Sequence, residues 1–487
     1  MRSANYYGVT LPAEEVEVLR LLEEQIGEPL PQVTEIDSET VGFTAEHNRI
    51  IRLVLSEKGL TSLPESLGHL VNLQKVSLTG NPFSSLPASI GHLVSLYRLD
   101  LTHNRLSSLP ASIGNLVNLE ELVLPFNQLV SLPASISNLV NLEELVLGEN
   151  QLASLPASIG NLVNLKRLDL WRNRLSSLPA SIGNLVNLEE LGLAENQLTS
   201  LPASIGNLVN LKRLSLRENP LFSLPASIGN LVNLQELVLG ENPLSSLPAT
   251  IDNLANLKTL HLSGIQLSSY PETISHLVNL QELVLSFNQF SSLPASMSQL
   301  VNLKTLRLAY NQLSSLPETI GNLVNLQELD LSANLLAALP ASMGQLVNLK
   351  RLSLRQNQLS SLPTSIDQLT NLEYLNLREN QLSSLPASFF QLSRLQFLDL
   401  TDNLFHTASL VDQLRLLWLS HKITHVKKYV PRDLFDHPLI QGLEPESLKR
   451  LDNQFCSYCG ASGVTKGVEK DTGREQVFCA HCENTLS

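Results

Sequence analysis

Four cysteines are the residues of this chain best spaced for chemistry. They form Cys456-Ser-Tyr-Cys459 and Cys479-Ala-His-Cys482, with nineteen residues between Cys459 and Cys479. Two residues between thiolates let one tight knuckle present both sulfurs to a single metal, and Gly460 suits a turn that needs positive φ. The C-x₂-C…C-x₂-C spacing matches a four-thiolate zinc site. Four thiolates close the coordination shell, so such a zinc is structural and leaves no position for a hydrolytic water. His481 is a spare donor that would give a Cys₃His set instead, and a pair of disulfides is the competing use of the four sulfurs. Between the pairs, Asp471-Thr472-Gly473 reads as a turn and Glu475–Phe478 as a strand, which together predict a hairpin. So small a segment cannot fold on its apolar core alone. Metal binding would have to supply about 10–16 kcal/mol, by zinc-finger precedent.

No other constellation carries chemistry. A phosphate loop, a nucleophile elbow and a His-Glu-x-x-His pair are all missing. Serine pairs such as Ser107-Ser108 recur from segment to segment and are framework. No catalytic residue is assigned, and binding is favoured over catalysis.

The elements that must position any binding residues follow from a repeat. Aligned on the last residue of Leu-x-x-Leu-x-Leu-x-x-Asn, asparagine falls at 81, 104, 127, 150, 173, 196, 219, 242, 288, 311, 334, 357, 380 and 403. Lys58 and Ile265 hold the same phase, which makes 16 units of 23 residues without insertion or deletion. In the unit around Asn150, Leu145 and Leu147 lie two apart, so a short strand points both into a core and sends Val146 to the other face. The Asn150 amide sits where the strand must turn and can satisfy backbone groups left unpaired there. Pro156 fixes φ and starts the return segment. Ile159, Leu162 and Leu165 are spaced by three, which suits a short helix or 3₁₀ turn with one face inward. Gly160 leaves room in that turn. One unit cannot bury its leucines alone, so stability is expected to be a sum of nearest-neighbour terms.

This pattern resembles the leucine-rich-repeat family. It is most similar to the intracellular 23-residue class of Ras-group and Ras-suppressor-like scaffolds, through Leu109-Pro110-Ala111-Ser112-Ile113-Gly114-Asn115-Leu116 and its copies. The resemblance covers about residues 50–404. It implies an α/β solenoid with a curved parallel sheet on the concave side and short helical turns on the convex side. It also implies a protein-binding, signalling or scaffolding role. The tail resembles a zinc ribbon; the eight ligands of a RING-like module are missing.

The expected organisation is a capping helix and extended segment (1–49), sixteen repeats (50–404), a helical cap and linker (405–452) and the zinc ribbon (453–487). Residues 10–26 read as an amphipathic helix with Val16, Leu19, Leu22 and Ile26 on one stripe, and residues 32–49 as a short extended pair. Leu410, Leu414 and Leu417 mark the C-terminal cap helix. The net charge of −13 disfavours nucleic acid and anionic lipid as general partners. No apolar leader, membrane-spanning run or Asn-x-Ser/Thr sequon occurs, and no cysteine lies in the repeats. A cytoplasmic, reducing compartment is therefore expected, which also disfavours the disulfide alternative.

The units are nearly identical on the convex side and differ most at strand positions facing the concave side. Sixteen strands give a sheet about 75 Å long, enough for a protein partner that needs about 800 Å². One column runs Glu121, Glu144, Arg167, Glu190, Arg213, Glu236, a charge alternation that suits pairing within the sheet. Two places stand out as partner sites. The first is Arg167, Trp171, Arg172, Arg213 and Arg217, with Phe126 nearby; Trp171 is predicted to be exposed beside arginine, as at interface hot spots. The second is Arg307, Tyr310, Arg351, Arg355 and Arg378, a basic patch suited to an acidic or phosphate-bearing partner. The unit containing Ile265 also has Tyr270 in place of leucine and His261 on the concave face, which fits either tolerated drift or a binding notch. The leading reading is an intracellular scaffold or adaptor. The alternatives are a nucleic-acid-associated factor targeted by the ribbon, and a substrate-selecting adaptor of a separate enzyme.

Overall fold

The computed structural model describes residues 2–34 and 40–405, together with the backbone of the strands His425–Lys427, Val464–Val468, Glu475–Cys479 and Thr485–Leu486. Two compact units are present. One comprises Met1–Leu267 with Pro271–Leu283, the other Ser268–Tyr270 with Val284–Ser487.

The first unit opens with a hairpin. Strands β1 (Ser3–Tyr6) and β2 (Val9–Pro12) pair antiparallel around Tyr7-Gly8, where φ is 47° and 94°. Two consecutive positive φ values give the turn whose twist matches a two-residue hairpin, and glycine takes one of them without strain. Helix α1 (Ala13–Ile26) follows directly and ends on Gly27 at φ 82°, whose N–H returns to the Glu23 carbonyl at 2.7 Å. This is a left-handed glycine cap. Residues 10–12, expected in the helix, belong to β2 instead, because their backbone pairs with Ser3–Asn5. Val16, Leu19 and Leu22 are buried as the stripe requires, but Ile26 is only partly covered. The extended pair lies further along than expected: β3 (Gly42–Glu46) and β4 (Arg49–Val54) pair antiparallel, and β4 is the first repeat strand.

From β4 onward successive repeat strands within a unit pair in parallel, 23 residues on; Glu144 meets Arg167, and Arg167 meets Glu190. In the first unit this pairing continues to Thr259–His261. In the second it runs from Thr305–Arg307 to Phe397–Asp399 and then, past the last repeat, to His425–Lys427. Beyond that strand, Val464–Val468 and Glu475–Cys479 form an antiparallel pair. The expected C-terminal helix with Leu410, Leu414 and Leu417 lies outside the described residues.

Within one repeat, Leu142, Leu145, Leu147, Leu152, Ile159, Leu162 and Leu165 are all fully buried. Pro156 (φ −63°) leads into a 3₁₀ turn at Ala157–Asn161. A Cβ placed on Gly160 would lie 2.4 Å from the Ser181 carbonyl oxygen, so the glycine lets neighbouring turns stack closely. Buried Asn150 gives Nδ2 to the carbonyls of Leu124, Leu147 and Gly148 at 2.9–3.2 Å. Its Oδ1 accepts the Leu129 N–H at 3.0 Å. Where the asparagine recurs, as at Asn127 and Asn173, copies of this arrangement tie a repeat to the one before it.

Candidate protein-binding face

Four side chains per repeat leave the leucine framework on the open side of the sheet: the first and third residues of the strand, and the two residues just before the buried asparagine. The second strand residue is a core leucine, which forces its neighbours outward. The residue immediately before the asparagine is left-handed in repeat after repeat, at His103 (φ 54°), Phe126 (57°), Glu149 (53°), Arg172 (51°), Phe287 (57°) and Tyr310 (55°). Non-glycine residues rarely adopt this conformation. Here the side-chain and backbone bonds of the following asparagine hold the turn around it.

In the first unit this position and the one before it build an aromatic cluster. The His103 ring stacks on Phe126 with centroids 4.1 Å apart, and Phe126 meets the edge of Trp171 at 5.9 Å. Trp171 is not freely exposed as the sequence suggested; it is half-covered, because its indole lies down over Gly148. A Cβ on Gly148 would sit 2.0 Å from Trp171 Nε1, so the glycine is what admits the ring. Phe126 remains 38% exposed.

The arginines of this patch do not stand free. Arg172 lies 5.3 Å from the Trp171 ring centre and is clamped between Glu195 and Glu149 at 2.5 Å each. Hydrogen bonds to Glu195 and then Glu149 push its pKa further above the ordinary guanidinium value. Arg167 is bonded to Glu144 at 3.0 Å, with Asp169 at 3.4 Å and Glu190 at 3.7 Å. Arg213 pairs with Glu236 at 3.1 Å and Arg217 with its neighbour Glu218 at 2.7 Å. Arg98 pairs with Glu121 across the next strands. The charge column is thus a ladder of internal pairs. Between Arg167 and Arg213 the bare backbone of Gly192 floors a notch of about 160 Å³, walled by Asp169, Glu190 and Ser215.

In the second unit, Arg307 is held by Glu328 at 3.1 Å, and Arg355 and Arg378 share Glu379 at 3.0 Å each. Arg378 also reaches Asp402 at 3.0 Å. Partial desolvation pushes the Glu379 carboxyl up, but hydrogen bonds from Gln356 and Arg355 and the charges of Arg355 and Arg378 outweigh it, leaving it below the usual range. The basic patch expected here is therefore largely neutralised. Arg351 differs: among the described residues it has no ion pair, and it lies 4.4 Å over the Tyr374 ring, which stacks on Phe397. Phe287 and Tyr310 stack at 4.4 Å and are 56% and 50% exposed. Reading the sequence missed His103, Phe287, Tyr374 and Phe397. They share columns with residues that were singled out, so the 23-residue phase itself could have found them.

His261 Nε2 lies 3.3 Å from Glu282 Oε1, and Ile265 is fully buried where other repeats carry asparagine. Cys456, Cys459 and Cys482 lie outside the described residues; Cys479 ends the strand Glu475–Cys479, of which only the backbone is described. Among the described residues no His, Cys, Asp or Glu group is arranged to hold a metal ion, and no helix is long and apolar enough to cross a membrane.

The sequence profile described as a leucine-rich repeat region matches residues 46–154, 149–246, 202–293 and 245–334, and a second leucine-rich-repeat profile matches 347–405. No curated protein matches the chain in sequence. A leucine-rich-repeat protein of Leptospira interrogans is similar in structure, with 42% identity over 77% of this chain and 95% of its own, at a TM-score of 0.74. A plant peptide hormone receptor, RGFR1 in complex with RGF2, matches at 27% identity over 82% of this chain and 74% of its own, with a TM-score of 0.59. The crystal structure of a TDR receptor matches at 31% identity over 72% and 68%, with a TM-score of 0.59. Proteins of this fold typically act as non-enzymatic protein-interaction scaffolds. The matched repeats, their buried asparagines and their stacked 3₁₀ turns make this chain a member of the leucine-rich-repeat family.

Proposed function

We propose that this chain is an intracellular adaptor that seats a protein partner on the open face of its repeat sheet, centred on Phe126 and Trp171. The observation that carries the reading is the His103–Phe126–Trp171 cluster on a face where the nearby Arg167, Arg172 and Arg213 are paired internally. Aromatic side chains that bring large area and few rotatable bonds dominate interface energetics, whereas paired surface charges contribute little. The notch at Gly192 adds local relief next to the cluster. The strict 23-residue unit and the lack of cysteine in the repeats support placing it in the intracellular Ras-suppressor-like class and in the cytoplasm. In this reading Cys456, Cys459, Cys479 and Cys482 hold a structural zinc, and the antiparallel pair Val464–Val468 with Glu475–Cys479 supports a ribbon between them. The second patch, with Phe287, Tyr310 and Arg351, which has no ion pair among the described residues, is a subsidiary contact.

The test is affinity capture with the full chain against Phe126→Ala and Trp171→Ala variants whose unfolding transitions match the parent. Loss of a specific protein from both variants supports the reading. Equal recovery by parent and variants excludes this face.

A further inference from the structure

The arginines around Trp171 invite an acidic partner when read from the sequence, but their pairing reverses that conclusion. Arg167 and Arg213 together face four carboxylates, from Glu144, Asp169, Glu190 and Glu236. Arg172 faces two, from Glu149 and Glu195. Lys166 and Lys212 are each consumed by one, Glu143 and Glu189, at 2.8 and 2.7 Å. Glu120 and Glu241 are exposed and have no ion pair among the described residues. Each of these cations is thus matched or outnumbered by its own carboxylates; Arg105, which shares a shallow pocket with His103 and Phe126, and Arg174 are exposed with no ion pair among the described residues, so the carboxylate surplus lies along Arg167, Arg172 and Arg213. At Arg167, Arg172 and Arg213 an acidic partner would have to break internal pairs, whereas a basic one meets carboxylates that share a cation or have none.

Resting on the protein-binding reading above, we propose that the partner segment seated beside Phe126 and Trp171 is a basic one. It places an apolar or aromatic side chain on the Phe126–Trp171 edge and lysine or arginine side chains on the surplus carboxylates. The notch over Gly192 receives one of these: its wall carries Asp169, whose Oδ1 would lie 2.7 Å from a Cβ placed on Gly192, so the carboxylate already leans over the bare backbone. Complementary charge of this kind mainly sets the association rate, the salt dependence and the choice of partner.

The carboxylates can be neutralised without stranding a guanidinium. Glu190→Gln leaves Arg167 on Glu144 and Arg213 on Glu236, and Glu195→Gln leaves Arg172 on Glu149. The experiment selects phage-displayed random peptides on the full chain, then measures the affinity of the enriched peptides for the parent, Glu190→Gln/Glu195→Gln, Arg213→Gln and Phe126→Ala. The expected peptides are net positive with an aromatic or aliphatic anchor. Their binding weakens at least about tenfold with the double Gln variant and with rising salt, and tightens with Arg213→Gln. Peptides that need Phe126 but are neutral or acidic, or that weaken with Arg213→Gln, overturn the basic-partner proposal and leave the protein-binding reading standing. A selection in which no peptide depends on Phe126 overturns both.

Discussion

The amide of Asn150 bonds three carbonyls and one N–H, all of them buried between two repeats. Asn150→Ala removes these partners without offering water in exchange. An expected loss of about 3 kcal/mol or more follows from leaving several backbone groups unsatisfied, to be read from denaturant unfolding. A change below about 1 kcal/mol would show that the ladder is not what couples neighbouring repeats. The position before each asparagine has the opposite character. Ala333 sits at φ 52° with a methyl group in place of any longer side chain. Ala333→Gly is expected to stabilise by up to about 1 kcal/mol, because glycine takes a left-handed backbone without the Cβ clash that alanine suffers. The same substitution at Phe126 would relieve the same strain but delete the aromatic cluster. Strain at that site is retained where the side chain is wanted on the open face. The asparagine phase was legible in the sequence because one residue type marks it; the left-handed residue before it was not, since aromatic, acidic and basic residues all occupy the position.

The N-terminal elements show how a cap is pinned to a solenoid. Glu15 on α1 is fully buried; its two carboxylate oxygens accept the Ile50 N–H and the Arg49 guanidinium, both at 2.9 Å. Glu15→Ala leaves a buried N–H and a half-buried cation without that partner. The expected cost is about 3 kcal/mol, with hydrogen exchange accelerated across α1 and β4 while distant repeats stay protected. Uniform acceleration along the chain would contradict an element-local role. Tyr6 pins the hairpin to the same cap. Its hydroxyl accepts the buried Leu30 N–H at 3.1 Å and bonds Glu23 at 3.2 Å. Burial, followed by the nearby Glu23 charge, pushes its pKa from 10.0 up to about 12. The fold therefore favours the neutral phenol. That contribution is complete below pH 10.0 and is lost as pH rises through about 12. Alkaline titration followed by tyrosinate absorbance should show the cap loosening in this window, and Tyr6→Phe should remove the step. Helix α1 was legible from its apolar stripe. The β1–β2 hairpin was not, because Ser3–Tyr6 shows no alternation and its stability comes from packing on α1.

At the scale of the molecule, stability is carried by contacts between successive repeats, so damage at one end should not propagate to the other. The zinc module proposed at the four cysteines is the clearest test. The purified chain is expected to contain one zinc, and a strong chelator should release it together with four reactive thiols while the cooperative unfolding of the repeats keeps its midpoint. Absence of zinc, or thiols already oxidised, would remove the proposed site. A shift of the repeat transition would mean that the module supports the solenoid rather than standing beside it.

What the sequence determined by itself is the framework. A 23-residue period of leucine, asparagine and proline dictates the recurring strand, turn and 3₁₀ segment among the described residues, because each of those residue types satisfies one local backbone or burial requirement. The two cysteine pairs are read at the same level, and the zinc proposed for them rests on their spacing. Only the tertiary structure decided the chemistry of the open face. Side chains 23 residues apart in sequence become adjacent there, so whether Arg172 is an exposed cation or a clamped one depends on Glu149 and Glu195 reaching it from neighbouring strands. The same stacking lays Trp171 over Gly148 and leaves Phe126 at its edge, a contact that no local property of either residue announces.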